Sequence, residues 1–348
     1  MAYSTISKPG LHFNTKLYTG NGGSQSITGV GFQPDWLWFK KRNGAADSSL
    51  IDAVRGVRKS LTSNNNEVEY TESAGLSAFD SDGFSFDGTG YDHVNTNSDL
   101  FVAWCWKAAN SSGSANTSGD INSTVSANTT AGFSIVSYTG TGSVATVGHG
   151  LGVAPKLIII KRRTGGTDAW PVDIRATSGT MYLNETGNVQ SYGNSTPFPS
   201  TAPTTTVFSI GTANNANANG SDFIAYCFAE KQGYSKMGKY IGNGNADGAF
   251  VYTGFKPAFT LIKRDATDNW AIHDNRRPGR NPNDAVLRSN LADGEYGGSQ
   301  GVDFLSNGFK ARQNDGEFNA SGNSYIYLAI AEEPLVANVG NGIPATAR

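Results

Sequence analysis

Charge, cysteine and long apolar runs are all scarce in this sequence of 348 residues. Charged residues make up 16% and nearly cancel, leaving a net charge of −2 and a pI near 6.1, so bulk charge favours neither a nucleic-acid partner nor an anionic membrane. The apolar runs are all shorter than the roughly 18 residues that a membrane-spanning helix needs. We therefore expect no membrane insertion.

The sequence also lacks a secretion signal and has few thiols. Residues 1–5 contain neither a basic segment nor an apolar core, so synthesis in a cytoplasm is expected. Cys105 and Cys227 are the two cysteines. They hold the same place in two copies of an internal repeat, so a disulfide would need two equivalent strands to meet. The sequence predicts two buried, unpaired thiols that pack as small hydrophobes.

Glycine, in contrast, is abundant, with 43 residues, and it alternates with stretches rich in Val, Ile, Phe and Tyr. The longest apolar stretches, such as 157–160, have the length of strands. Amphipathic helical runs are scarce. This composition is typical of many short strands joined by tight turns.

An internal repeat is the strongest signal. Each of three copies opens with Tyr-x-Gly-x-Gly, continues with Gly-x-x-Pro, and has a Lys six residues after the Pro. The members are Tyr18, Tyr138 and Tyr240; Pro34, Pro155 and Pro257; and Lys40, Lys161 and Lys263. Because the glycines allow a positive φ and the proline favours a strand entry, these motifs predict one fold repeated three times.

The match continues through the second half of each copy. An Asp with a following Arg comes first, then an Asn-rich motif, then a closing strand. The members are Asp52, Asp173 and Asp274; Arg55, Arg175 and Arg276; Asn95, Asn217 and Asn319; and strands 101–106, 223–228 and 325–330, which contain Cys105, Cys227 and Ala329. Both faces of the closing strand are apolar, which predicts a central strand between two stacked layers.

These patterns predict an all-β protein with three tandem antiparallel β-sandwich domains of a jelly-roll-like kind. Asp-Gly at 82–83 and Asn-Gly at 307–308 predict hairpins, whereas copy two has an altered hairpin near Phe208. The expected organisation is an N-terminal segment 1–12, repeats 13–107, 132–230 and 235–333, a flexible polar linker 108–131, and a C-terminal tail 334–348. Because the linker is long, we expect copy one to sit apart from the other two.

None of the candidate motifs favours a metal, a cofactor or a catalytic site. The Gly-x-Gly motifs at 140–142 and 242–244 precede strand patterns, whereas a phosphate loop needs a following helix. The run 80–83, Asp-Ser-Asp-Gly, lacks the closing Glu of a calcium loop, so a hairpin turn is favoured. The histidines fall at unrelated repeat positions: His12, His93, His149 and His273.

Two repeated features leave alternatives open. Glycosidase chemistry needs two carboxylates, and Asp52, Asp173 and Asp274 are the candidates. A feature present in every copy is more often architectural, so a structural ion pair is favoured over catalysis. Trp36 and Trp38 share one face of a strand, and we favour a core position over a subunit contact.

Several of these motifs resemble a family of repeat proteins from tailed bacteriophages, many of them marine. The resemblance covers nearly the whole chain and rests on residues 52–56, 226–231, 242–248, 250–257 and 342–348. Members are usually described as tail fibre or virion structural proteins. The resemblance implies a place in the virion, other virion proteins as partners and, by analogy, a homotrimer. No functional residues carry over from it.

The expected function is therefore that of a bacteriophage virion structural protein, a tail fibre or fibre-like appendage that binds host surface glycans. Aromatic side chains and amides in exposed loops would hold the glycan, and repetition would supply several binding surfaces. The alternatives are a head fibre or decoration protein on the capsid and a glycan-degrading tailspike enzyme. We expect no enzymatic activity and no cofactor, and the sequence does not specify the ligand-binding residues.

Overall fold

The computed structural model describes residues 4–90, 94–298 and 301–335. Strands account for 43% of the structure and helices for 2%, and the strands form several antiparallel sheets. The predicted all-β sandwich class is therefore confirmed. Within the described residues, no helix is long and apolar enough to cross a membrane.

Copy one begins with a 3₁₀ turn at Pro9–Leu11 and builds one large sheet, one small sheet and a separate pair of short strands. Its strands are β1 (Phe13–Thr19), β2 (Ser24–Thr28), β3 (Trp36–Lys41), β4 (Ser49–Asp52), β5 (Lys59–Ser60), β6 (Tyr70–Thr71), β7 (Leu76–Asp80), β8 (Gly83–Asp87) and β9 (Leu100–Trp106). The large sheet has the order β1-β9-β3-β4, the small sheet has the order β2-β8-β7, and β5 pairs with β6. As predicted, the closing strand β9 is central.

Copy two has the same plan with a wider large sheet. Its elements are β10 (Ser114–Asn116), β11 (Ser123–Asn128), β12 (Phe133–Thr139), β13 (Ala145–Gly148), β14 (Leu157–Arg162), β15 (Pro171–Ile174), β16 (Gly179–Tyr182), β17 (Gln190–Ser191), β18 (Val207–Ile210), helix α1 (Asn214–Asn217) and β19 (Asp222–Phe228). The large sheet has the order β10-β11-β12-β19-β14-β15-β16-β17. The small sheet is only β13-β18, which agrees with the altered hairpin predicted near Phe208.

The segment 108–131 is not the flexible linker that we expected. It contains β10 and β11, and β11 pairs with β12 from Ser123 opposite Tyr138 to Asn128 opposite Phe133. The edge strand β10 and its neighbour β11 need apolar side chains only where they meet the core, so their composition resembles that of a linker. The Ser- and Asn-rich sequence therefore gave the wrong prediction.

Copy three repeats the two-sheet plan. Its strands are β20 (Ser235–Ile241), β21 (Phe250–Tyr252), β22 (Phe255–Arg264), β23 (Trp270–Asp274), β24 (Leu287–Arg288), β25 (Val302–Leu305), β26 (Gly308–Ala311) and β27 (Ser324–Pro334). The large sheet has the order β20-β27-β22-β23-β24 and the small sheet β21-β26-β25. The closing strand is again central.

The opening tyrosines are equivalent in all three copies, as predicted. Each hydroxyl donates to a backbone carbonyl just before or within the Asn-rich motif, and each ring stacks on the closing strand. The hydroxyl distances are 2.5 Å from Tyr18 to Val94, 2.7 Å from Tyr138 to Ala216 and 2.7 Å from Tyr240 to Phe318. The stacking partners are Phe101, Phe223 and Tyr325, with ring centroids 5.1–5.3 Å apart.

A fully buried asparagine then ties the opening turn to the closing strand. The Oδ1 atom of Asn95 accepts the backbone N–H of Asn21 at 3.1 Å. Asn217 accepts from Thr141 and Asn319 from Asn243 in the same way, at 2.8 and 3.0 Å. Because each amide also donates to two backbone carbonyls, the Asn-rich motif satisfies backbone groups that would otherwise be buried without partners.

The inner faces of the three large sheets share one central core. It joins Trp36 of copy one, Tyr226 of copy two and Phe259 of copy three, and the rings of Trp36 and Tyr226 stack 4.2 Å apart. The expectation that copy one sits apart is therefore wrong. Trp36 and Trp38 are each 1% exposed within this core, which confirms the core interpretation.

One backbone hydrogen bond recurs at each interface between copies. Glu69 donates to Arg163 at 3.1 Å, Val189 to Asp265 at 3.2 Å and Glu295 to Arg42 at 2.7 Å. These bonds link copy one to two, copy two to three and copy three to one. The three copies therefore form a closed ring around the central core.

Candidate functional site

Two of the three predicted aspartates lie at interfaces of the ring. Asp52 accepts a hydrogen bond from the hydroxyl of Tyr226 in copy two at 2.9 Å. Asp274 accepts one from the indole N–H of Trp104 in copy one at 3.0 Å. Neither aspartate side chain has exposed surface. Asp52 therefore joins copy one to copy two, and Asp274 joins copy three to copy one.

Each of these aspartates also forms a buried ion pair with an arginine three residues later. The Nε atom of Arg55 is 2.5 Å from Asp52, and that of Arg277 is 2.6 Å from Asp274. The partner is thus Arg277, and the predicted role of Arg276 is wrong. Burial alone would raise the pKa of Asp274, but Arg277 and Trp104 lower it below its usual value.

A glutamate extends each ion pair across the interface. Glu69 binds Arg163 of copy two at 2.8 Å and Arg55 of its own copy at 3.3 Å. Burial opposes ionisation of Glu69, yet the two arginines lower its pKa. Glu295 bridges Arg42 and Arg277 in the same arrangement, at 2.8 and 3.7 Å. This geometry favours a structural role at the interfaces over catalysis.

Asp173 is not equivalent to the other two aspartates, contrary to the sequence alignment. It pairs across the sheet with Ile158, so Ile174 occupies the register position that Asp52 and Asp274 hold. Its carboxylate turns to the opposite face and contacts Tyr192 at 2.6 Å and Arg175 at 2.8 Å. The connection between β14 and β15 is one residue longer than the one between β3 and β4, so the aspartate falls one position before the equivalent site. A shift of one residue in a strand turns the side chain to the other face of the sheet.

The remaining candidates have structural surroundings. The Asp82 carboxylate accepts the backbone N–H of Gly29 and Gly31 at 3.0 and 2.6 Å, so the run 80–83 forms a hairpin turn. His149 and His273 are buried, and burial lowers the pKa of His273 to about 3. His93 lies outside the described residues. Within those residues, no three His, Cys, Asp or Glu side chains cluster as metal ligands would.

An open cleft of about 510 Å³ lies on copy one beside its interface with copy two. The wall includes Thr62, whose carbonyl accepts the indole N–H of Trp170 at 2.9 Å. Its lining residues are Asp47, Thr62, Asn65, Glu67, Val68, Tyr70, Thr71, Glu72, Ser73 and Gly90. The lining therefore combines three carboxylates, an amide, hydroxyls and one aromatic ring, with no basic side chain.

Local geometry fixes two of these groups. A Cβ atom at Gly75 or Gly90 would lie 2.7 or 2.6 Å from Oε2 of Glu72, so the two glycines leave room for that carboxylate. Asn64 donates to Asp47 at 2.6 Å and holds the second carboxylate. The hydroxyl oxygen of Tyr70 is buried, and this burial raises the pKa of the side chain.

Sequence reasoning missed this cleft because it followed features shared by the copies. The available signal was local: Glu67, Glu69 and Glu72 fall within six residues of a charge-poor chain. Such a concentration differs from the rest of the sequence and marks a loop surface.

Comparison with known proteins gives one match. The sequence model of a family described as a domain of unknown function (DUF7483) matches residues 8–334. No curated protein and no solved structure matches the chain.

Proposed function

This chain belongs to the DUF7483 family, and we propose that it is a structural protein of a bacteriophage particle, a tail fibre or fibre-like appendage that binds host surface glycans. The observation that supports this proposal is the closed ring of three β copies around one core. Such a ring holds loops rigidly at its periphery, which suits a protein that displays binding surfaces outside a cell. Its partners would be other virion proteins and a host glycan.

The cleft of copy one is the proposed glycan site. The carboxylates of Asp47, Glu67 and Glu72 can accept hydrogen bonds from sugar hydroxyls, and Asn65 can both donate and accept. The ring of Tyr70 offers an apolar surface for a sugar face. Because no lining residue is basic, the site suits a neutral or amine-bearing glycan better than an acidic one.

Binding of purified host polysaccharide to the full chain tests this site. Glu67 is exposed in the cleft, so Glu67→Ala should fold normally and weaken binding by roughly tenfold. Glu185 is an exposed glutamate of copy two outside the cleft, and Glu185→Ala serves as the matched control. Equal binding by the wild type and Glu67→Ala, or no binding by either, would reject the site.

A glycan-degrading tailspike is the second candidate, and the three carboxylates in one cleft favour it. We propose binding without hydrolysis as the primary function. Incubation of the chain with host polysaccharide separates the two, because released oligosaccharides would show catalysis. Loss of that release in Glu67→Ala and not in Glu185→Ala would assign it to the cleft.

Location and assembly complete the proposal. Gold-labelled antibody seen on the tail in electron micrographs supports a fibre, and label confined to the head supports the decoration protein instead. The homotrimer implied by the phage resemblance is part of the same proposal, although one chain already completes the ring. A single monomeric species in sedimentation at micromolar concentration would reject an obligate trimer, leaving assembly on the particle as the remaining form of the proposal.

A further inference from the structure

The first strand of the large sheet is covered by a further strand in copy two, whereas among the described strands it is an edge strand in copies one and three. In copy two, β11 covers β12. In copy one, β1 pairs only with β9 among the described residues. The edge of β1 is thus the position where copy two carries an additional strand.

The register shows which backbone groups of β1 face this edge. The His12 carbonyl accepts from Lys107 and the Gly20 amide donates to Asp99, so even-numbered residues bond to β9. Odd-numbered residues therefore direct their backbone groups outward. The Thr15 amide binds the Asn14 side chain at 3.0 Å, and the Leu17 amide and carbonyl point towards the open edge.

A groove of about 380 Å³ runs along this edge, lined by Asn14, Thr15, Lys16, Leu17, Gly29 and Arg276. Thr15 is 5% exposed, and within the described residues its hydroxyl has no hydrogen-bond partner. Arg276 comes from copy three, so the groove lies between copies one and three. A strand in this groove would contact both.

In copy two, the position equivalent to this groove is filled by β11. Gly150 corresponds to Gly29, since each lies two residues before the Gly of the Gly-x-x-Pro motif. A Cβ at Gly150 would lie 2.9 Å from Val125 and 3.4 Å from Ala127, both on β11. A Cβ at Gly29 would instead lie 3.0 Å from Nζ of Lys16. The Lys16 ammonium group thus lies over the glycine where β11 places Val125.

We propose that the β1 groove is a docking site for an extended segment of another protein, which adds antiparallel to β1 as β11 adds to β12. The segment carries an acidic side chain at the position beside Lys16, because Lys16 and Arg276 are the charged groups that line the groove. The partner we propose is a terminal strand of a neighbouring virion protein, a choice that rests on the proposed function. The proposal does not depend on glycan binding by the cleft.

The alternative occupant within the chain is the segment after Leu335. Residues 336–348 carry one charged side chain, Arg348, which has the same sign as the groove. Charge complementarity therefore favours a separate acidic partner.

Two fluorescently labelled peptides serve as probes of the full chain. The first has the sequence of residues 121–129, and the second has Glu in place of Val125, which pairs with Val136, the counterpart of Lys16. We expect the acidic peptide to bind at least roughly tenfold more tightly, by fluorescence anisotropy. Hydrogen exchange of the segment 13–19 should slow when it binds.

Leu17→Pro removes an outward amide while leaving the bonds to β9, so it should weaken peptide binding by roughly tenfold or more. Lys239 holds the equivalent edge position on β20, and Lys239→Pro is the matched control that should bind normally. Arg276→Glu should also weaken binding of the acidic peptide, whereas Arg280→Glu, at a largely exposed residue, should not.

Three outcomes would overturn the proposal. They are no peptide binding at millimolar concentration, equal binding by Leu17→Pro and Lys239→Pro, and tight binding only after truncation at Leu335. The last outcome would show that residues 336–348 fill the groove in the intact chain. Circular dichroism of each variant confirms that the fold is retained, and Arg276→Glu tests the groove independently of the β1 backbone.

Discussion

Trp104 donates its indole N–H to the carboxylate of Asp274, 170 residues away, across a buried distance of 3.0 Å. This bond joins copy one to copy three, and Tyr226 makes the corresponding bond from copy two to Asp52 of copy one. The ring is therefore closed by polar contacts within an apolar core. Such bonds fix the orientation of the copies because a buried carboxylate without its donors is costly.

At the interface between copies two and three, apolar residues take the place of both the donor and the acceptor. By register, Leu328 stands where Trp104 and Tyr226 stand, and Ile174 stands where the aspartates stand. Both residues are buried in the central core. Likewise Val189 takes the place of Glu69 and Glu295 at the recurring backbone bond. At this interface Leu328 replaces the hydrogen-bond donor and Ile174 replaces the aspartate that would accept from it. Neither replacement therefore leaves the other group buried without a hydrogen-bond partner.

Tyr226→Phe tests the contribution of one interface bond. The substitution removes a hydroxyl that binds both Asp52 and Arg55 and leaves the aromatic ring of the side chain in place. We expect a loss of about 1–3 kcal/mol in the free energy of unfolding, because one buried donor to a carboxylate disappears. Urea unfolding measures this loss. Tyr226→Phe and Asp52→Asn should also couple in a double-mutant cycle, and additive effects would contradict the direct contact.

Asp52→Asn should be more damaging, since it leaves the buried Arg55 guanidinium with only its longer ion-pair contact to Glu69. Breaking a buried ion pair by removing one partner costs about 3–5 kcal/mol. Asp87 pairs with Arg58 at the surface, with side chains 43% and 26% exposed. Asp87→Asn is therefore the control, with an expected loss under about 1 kcal/mol. Equal urea midpoints for the two variants would show that the interface pair carries no stability.

The sequence predicted the local architecture because each motif fixes local backbone geometry. Tyr18 and its counterparts, the prolines and the closing strands all recur in equivalent places. The closed ring was missed for a physical reason: a strand that is apolar on both faces predicts two covering layers without identifying them. One face of β9 meets the small sheet of its own copy, and the other meets the other copies.

Register and charge explain the other differences. Asp173 was misassigned because a shift of one residue reverses the face of every side chain in a strand. Segment 108–131 was taken for a linker because polar edge strands and linkers share a composition. The cleft was not predicted because its lining residues lie outside the motifs that the copies share, and a repeat alignment emphasises those motifs.

The two cysteines should react with alkylating reagents only after unfolding. Cys105 and Cys227 are unpaired and fully buried, and burial raises the pKa of both thiols. Mass spectrometry of the native chain should show no label at neutral pH. In denaturant without reductant it should show two labels. A mass two hydrogens short with no label would indicate a disulfide and would contradict the equivalent, separated positions of the two strands.

Lys161→Met should change how stability depends on pH. Burial lowers the pKa of Lys161 to about 8, and the ammonium group donates to the carbonyl of Asp168 at 2.5 Å. The ordinary pKa of lysine in an unfolded chain is about 10.4. Between these values the unfolded chain binds more protons than the folded one, so this lysine contributes a rise in stability as pH increases from about 8 to 10.4.

The substitution removes that titration, so the difference in unfolding free energy between the wild type and Lys161→Met reports it directly. We expect the difference to shift by about 3 kcal/mol in favour of the wild type between pH 7 and pH 10.5, as a shift of one pKa unit corresponds to about 1.36 kcal/mol. Tyrosine ionisation affects both proteins and largely cancels in the difference. Urea unfolding at both pH values measures the shift. A difference that is constant with pH would mean that Lys161 titrates alike in the folded and unfolded chains, which would contradict its burial beneath the loop that ends at Asp168.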